Sequence, residues 1–97
     1  MNEHLLLVED DDDISAALRL HLEDAGYRLH REANGRHAMA AIDRQRWDLV
    51  LLDLVIPGLS GVDVCTWIRA RSDVPIIILS ARQEEDLKVA ALDAGAD

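Results

Sequence analysis

Residues 48–61 read DLVLLDLVIPGLSG, and the fold can be worked out from this stretch. Leu49-Val50-Leu51-Leu52 is a continuous apolar run rather than an alternating one, which suits a short strand buried on both faces of a parallel sheet. The run ends on an acid, Asp53, and Pro57-Gly58 then breaks the chain into a loop before Gly61. An acid at the carboxyl end of a buried strand stands where ligands bind in open α/β sheets.

Two more runs have the same character. Upstream, Leu5-Leu6-Leu7-Val8 leads into Glu9-Asp10-Asp11-Asp12-Asp13; downstream, Ile76-Ile77-Ile78-Leu79 leads into Ser80-Ala81. Tyr27 to Glu32 is a weaker strand candidate. Helical spacing falls between the runs: Ile14, Ala17, Leu18, Leu22 and Ala25 before Gly26; Ala38, Ala41 and Ile42 after Gly35; Val64, Cys65 and Ile68 after Gly61; and Leu87, Ala91, Leu92 and Ala94 before Gly95. Strand and helix alternate four times, the pattern of an α/β fold with a parallel sheet. Repeats, low-complexity tracts and linkers are absent.

The chain has 97 residues, enough for one small domain. With 19 acids against 10 Lys and Arg its net charge is -9, which argues against a grip on nucleic acid and favours a cation or a basic partner surface. Its one cysteine, Cys65, has no disulfide partner and no second thiol for zinc, and its helical apolar setting reads as packing. The N-terminus lacks a basic leader, and no apolar stretch approaches a membrane span. The expected compartment is the cytoplasm, with no membrane partner.

If the first and third strands are neighbours, Glu9, Asp10 and Asp53 converge on one cleft. Clustered carboxylates repel unless neutralised. Mg²⁺ does this well, because it takes oxygen ligands and bridges carboxylates to phosphate. One carboxylate can then act as a nucleophile, with the Ser80 hydroxyl on a phosphoryl oxygen. The residue types therefore suggest Mg²⁺-assisted aspartyl phosphorylation. Plainer readings suit the rest. Asp12 and Asp13 belong to a helix N-terminus, as cap and dipole partners, and Asp11 is peripheral. His4, His21, His30 and His37 lack ligand spacing and are expected on the surface. Arg69 and Arg71 read as solvated, and Trp47 and Trp67 as packing. Glu9 and Asp10 would be simple loop charges without Asp53 and Ser80.

Taken together, Leu5 to Asp10, Asp48 to Gly61, Val74 to Arg82 and Leu92 to Asp97 resemble, in order and spacing, the receiver domains of two-component response regulators. The resemblance spans essentially the whole chain. It implies a doubly wound, flavodoxin-like (CheY-like) sheet of order 2-1-3-4-5. Asp53 would be the phosphoacceptor. Glu9, Asp10, Asp53 and the Val55 backbone carbonyl would hold Mg²⁺. Ser80 would be the switch that turns to the phosphoryl group, and Ala81 the small residue beside it. A sensor histidine kinase would supply the phosphoryl group. The stretches around Ser80 and Ala91 resemble the subfamily whose receiver precedes a winged-helix DNA-binding domain and dimerises through the fourth-helix face. DNA would be reached only through that further domain.

The family's lysine at the end of its fifth strand, the aromatic switch on that strand and the fifth helix have no counterpart in this sequence. Lys88 lies on the fourth helix and does not replace the lysine. Residues 1–97 are thus expected to be a receiver domain incomplete at its C-terminus, with an exposed fourth-strand edge, uncovered apolar surface and a tendency to be marginal, swapped or oligomeric. Such a domain is a phosphoacceptor switch rather than a metabolic enzyme. Two alternatives remain. One is a Mg²⁺-dependent phosphatase or phosphotransferase, disfavoured because Asp53-Leu54-Val55 lacks the second acid of a DxD pair. The other is a degenerate receiver serving only protein contacts.

Overall fold

The computed structural model describes residues 3–79. The elements are β1 (His4–Val8), α1 (Asp12–Asp24), β2 (Arg28–Glu32), α2 (Gly35–Arg44), β3 (Leu49–Leu52), α3 (Gly61–Arg69) and β4 (Ile76–Ile78). The strands form one parallel sheet in the order β2-β1-β3-β4, the order expected for the first four. The expected fourth helix and Ser80 lie outside the described residues.

Alternate strand residues feed two layers. On one face Leu6, Val8, Val50, Leu52 and Ile76 pack against Ala38, Ala41 and Ile42 of α2 and Val64, Cys65 and Ile68 of α3. Cys65 is buried there as a packing residue, and Trp47 and Trp67 flank the cluster. Each large apolar side chain removed from water in this layer contributes about 1.5–3 kcal/mol. On the other face Leu5, Leu7, Leu29 and Leu51 meet Leu18 and Leu22 of α1. No helix among the described residues is long and apolar enough to cross a membrane.

Four expectations need correction. On α1, Ile14, Ala17 and Ala25 are exposed, and the stripe facing the sheet is Ser15, Leu18 and Leu22. A polar Ser15 on the buried side concealed the true phase of the helix. The second concerns β4, whose triple isoleucine is not buried on both faces: Ile76 is 0% exposed and Ile77 is 46% exposed. Ile77 is in register with Leu51, on the face where α1 lies over β2, and among the described residues nothing covers it. The third is that His4 and His30 are half-buried against Trp47, with ring centroids 4.7 and 5.8 Å away. The indole is fixed there by its N–H, which donates to the Ala41 carbonyl at 3.0 Å. The fourth is that Arg69 is also half-buried and donates to the Ser72 carbonyl at 3.0 Å, closing the end of α3.

Helix α1 ends in a paired cap. Gly26, at φ +97°, lets its own N–H reach the Glu23 carbonyl at 3.0 Å and that of Tyr27 reach the Leu22 carbonyl at 3.1 Å. This is the stop expected at Gly26, and it turns the chain into β2.

Candidate functional site

The site lies at the carboxyl ends of β1 and β3, which pair directly. Backbone bonds extend that pairing past the last strand residues. The Asp53 N–H donates to the Val8 carbonyl at 2.9 Å, and the Glu9 N–H to the Glu32 carbonyl at 3.1 Å. Glu9 and Asp53 are thereby held on either side of the β1–β3 seam. One carboxylate oxygen from each of Glu9, Asp10 and Asp53 lies within 4.8 Å of the others. The three residues named from the sequence are thus brought together.

Their environments differ. Glu9 is 2% exposed, Asp53 is half-buried and Asp10 is open to solvent. Burial pushes the Glu9 carboxyl up to about 8, helped by a hydrogen bond shared with Asp53 and by the charges of Asp53, Asp10 and Asp11. A hydrogen bond between two carboxyls needs a proton on one of them. The second oxygen of Glu9, Oε2, is buried with no hydrogen-bond partner. A buried, unpaired carboxylate oxygen among other acids is costly unless a proton or a cation compensates it. An all-oxygen donor set of this kind suits a hard divalent ion such as Mg²⁺.

The loop after β3 is shaped around Asp53. The Val55 N–H donates to Asp53 Oδ1 at 3.0 Å, which orients the carboxylate and leaves the Val55 side chain exposed. The Gly61 N–H donates to the Leu54 carbonyl at 2.9 Å, and a Cβ at Gly61 would collide with the Leu54 Cα. Glycine is needed here because the start of α3 passes directly against the backbone beside Asp53. Across β1, Asp11 is the N-cap of α1: its Oδ1 accepts from the Ile14 N–H at 2.9 Å, with Asp12 and Asp13 in the first turn. The cap is therefore Asp11 rather than Asp12 or Asp13, so Asp11 has a defined structural role. Ser80 lies outside the described residues.

Sequence reasoning passed over one residue near the site, Arg31 on β2. Its Nε donates to the Glu9 carbonyl at 2.9 Å and its Nη1 to Asp12 Oδ1 at 2.9 Å. The signal available was a lone arginine in a strand candidate next to an acidic loop.

A parallel sheet with helices on both faces and an acidic pocket at the ends of its first and third strands defines a narrow class, and known proteins place the chain within it. The family model described as the response regulator receiver domain matches residues 5–97. Sensory transduction protein RegX3 of Mycobacterium tuberculosis is 44% identical over 93 residues, covering 96% of this chain and 41% of its own length. The DNA-binding response regulator MtrA of Mycolicibacterium smegmatis is 39% identical over 97 residues, covering 100% of this chain and 42% of its own length. Among solved structures, the receiver domain of sensor histidine kinase PA1611 from Pseudomonas aeruginosa, with a magnesium ion coordinated in its active-site cleft, superposes with TM-score 0.90. It is 33% identical, with 100% of this chain and 82% of that one covered. The chain belongs to the response regulator receiver domain family. It spans about two fifths of the length of RegX3 and MtrA.

Proposed function

We propose that residues 1–97 work as the phosphoacceptor receiver domain of a two-component response regulator, with Asp53 as the phosphorylated residue. The observation that carries this reading is the convergence of Glu9, Asp10 and Asp53 oxygens within 4.8 Å at the ends of two adjacent parallel strands. Glu9, Asp10, Asp53 and the Val55 backbone carbonyl would hold Mg²⁺, which neutralises the acids and the charge of an incoming phosphoryl group. The orphaned Glu9 oxygen and the all-oxygen donor set support that choice.

In the reaction an Asp53 carboxylate oxygen forms the new bond to phosphorus while the phosphorus–nitrogen bond of a phosphohistidine breaks. The electron pair leaves on the imidazole nitrogen, which takes up a proton. The Val55 N–H keeps the attacking carboxylate oriented. Ser80 would turn to the phosphoryl oxygens and couple the reaction to the fourth-helix face. The donor is a sensor histidine kinase, and the setting is the cytoplasm. The output would be a winged-helix DNA-binding domain outside these residues, positioned by a receiver dimer formed through the fourth-helix face. The names of relatives, a DNA-binding response regulator and the transcriptional regulatory protein AfsQ1 of Streptomyces coelicolor, support that output. A phosphatase of similar chemistry would want a second acid where Val55 stands, so that reading is disfavoured.

The test is incubation with acetyl phosphate and Mg²⁺, read by intact mass, on this chain and on Asp53→Asn. Addition of one phosphoryl group to the first and none to the second is expected. Equal addition to both would remove Asp53 as the acceptor. No addition to either would point to a pocket crippled without the fifth-strand lysine or to a wrong assignment, and labelling of a chain extended through the fifth strand and helix would separate the two.

A further inference from the structure

We infer that Arg31 is a positioning residue for the metal pocket, holding the Glu9 main chain so that its carboxylate faces Asp53. The inference rests on the Mg²⁺ reading above and adds a residue outside the acidic set. Both backbone groups of Glu9 are tied to β2: its N–H to the Glu32 carbonyl at 3.1 Å, and its carbonyl to Arg31 Nε at 2.9 Å. With the peptide units on both sides of its Cα held, Glu9 cannot swivel, so its side chain leaves the backbone in one direction, into the pocket. The second arm of the guanidinium reaches Asp12 Oδ1 at 2.9 Å, at the start of α1. One planar group thus spans both ends of the β1–α1 loop, the segment that also carries Asp10.

The burial of the group fits this role better than that of a surface ion pair. The Arg31 side chain is 23% exposed while that of Asp12 is 90% exposed. A pair with so open a partner contributes little through charge alone. Nη2 of Arg31 is buried with no partner, so the side chain accepts a desolvation cost to stay in place. Arg31 is in register with Leu7, one residue short of Val8 and two short of Glu9, so its side chain runs along β1 toward the loop. A lysine has the charge but lacks the rigid fork of donors needed for two divergent acceptors.

Positioning and bare charge predict opposite signs. If Arg31 acted only as a positive charge near an acidic cleft, Arg31→Gln would tighten Mg²⁺ binding by removing repulsion. If it positions Glu9, Arg31→Gln weakens binding although a positive charge is gone. Outer partners of metal ligands typically govern about 10-fold or more in affinity. The experiment is calorimetric titration with Mg²⁺ of the parent chain, Arg31→Gln, Arg31→Lys and Glu9→Gln, with acetyl phosphate labelling at saturating Mg²⁺. The expected result is a Mg²⁺ midpoint raised about 10-fold in both Arg31 variants, with the labelling rate at saturation close to that of the parent. An unchanged or lowered midpoint in Arg31→Gln overturns the inference, as does a parent-like midpoint in Arg31→Lys. Loss of thermal stability with an unmoved midpoint would make Arg31 a structural residue only. Absence of Mg²⁺ binding in the parent would instead sink the metal reading itself. Binding by the parent, lost in Glu9→Gln and kept in the Arg31 variants, would sink the Arg31 inference alone.

Discussion

Glu9 is the residue on which the chemistry of the pocket turns. Its carboxyl has an ordinary value of 4.5 and is raised to about 8, chiefly by burial. An acid whose proton is held more tightly in the folded state favours folding at low pH, and that contribution is lost as pH rises. The metal-free chain should therefore lose stability from about pH 4.5 up to about pH 8, with no further loss from this group above that. Urea unfolding in EDTA across this range tests the effect, with Glu9→Gln as the comparison. The decline should be much smaller in the variant, and an equal decline in both would remove Glu9 as its source. Mg²⁺ should shrink the decline in the parent, because a cation can take the place of the proton.

The loop between β3 and α3 is the element that presents Asp53, and its shape depends on one close approach. A Cβ at Gly61 would overlap the Leu54 backbone next to Asp53, so α3 or the loop would have to move. Gly26 offers a contrast, with φ at +97° but nothing within 4 Å of an added Cβ. Gly61→Ala should cost about 3 kcal/mol, at the overpacked end of the range. Gly26→Ala should cost about 1 kcal/mol, for left-handed backbone alone. Denaturant midpoints would check this, and a larger loss at Gly26 would refute the close approach as the constraint. Gly61→Ala should also slow acetyl phosphate labelling, because the displaced backbone adjoins Asp53.

At the scale of the whole molecule, the two faces of the sheet are unequally covered among the described residues. The face under α2 and α3 is closed around Ile76, while its neighbour Ile77 lies beside Tyr27, Leu49 and Leu51 in an apolar groove of about 360 Å³. Ile76→Ala should cost about 2–5 kcal/mol through lost burial and the cavity left behind. Ile77→Ala should cost under about 1 kcal/mol, as at a largely solvated position. Thermal melts of the two variants would decide. A cost at Ile77 equal to that at Ile76 would mean that the groove is covered in solution.

The apolar runs of β1 and β3 and the acids that close them were legible in the sequence, because burial on both faces leaves no alternation and acids at strand ends mark a ligand site, whereas the third run kept the same look with Ile77 open to solvent. The acids at the ends of the first and third runs named the pocket on the condition that those strands are neighbours, and the order that makes them neighbours came from the family resemblance. What the residues could not convey was phase and environment. Ser15 facing the sheet shifted the stripe of α1, which keeps the expected Leu18 and Leu22 but not Ile14 and Ala17, since one polar residue at a buried position looks like solvent-facing pattern. Asp11, Asp12 and Asp13 are chemically alike, and only the turn of the chain made Asp11 the cap. His4 and His30 came to rest on Trp47 through strand register, which no local spacing encodes. Arg31 reached Glu9 across 22 residues of sequence because β2 pairs with β1. Residue type and periodicity determine which elements form and which carboxylates can meet. The pairing of distant strands determines which carboxylate is buried, what holds it and how strongly it keeps its proton.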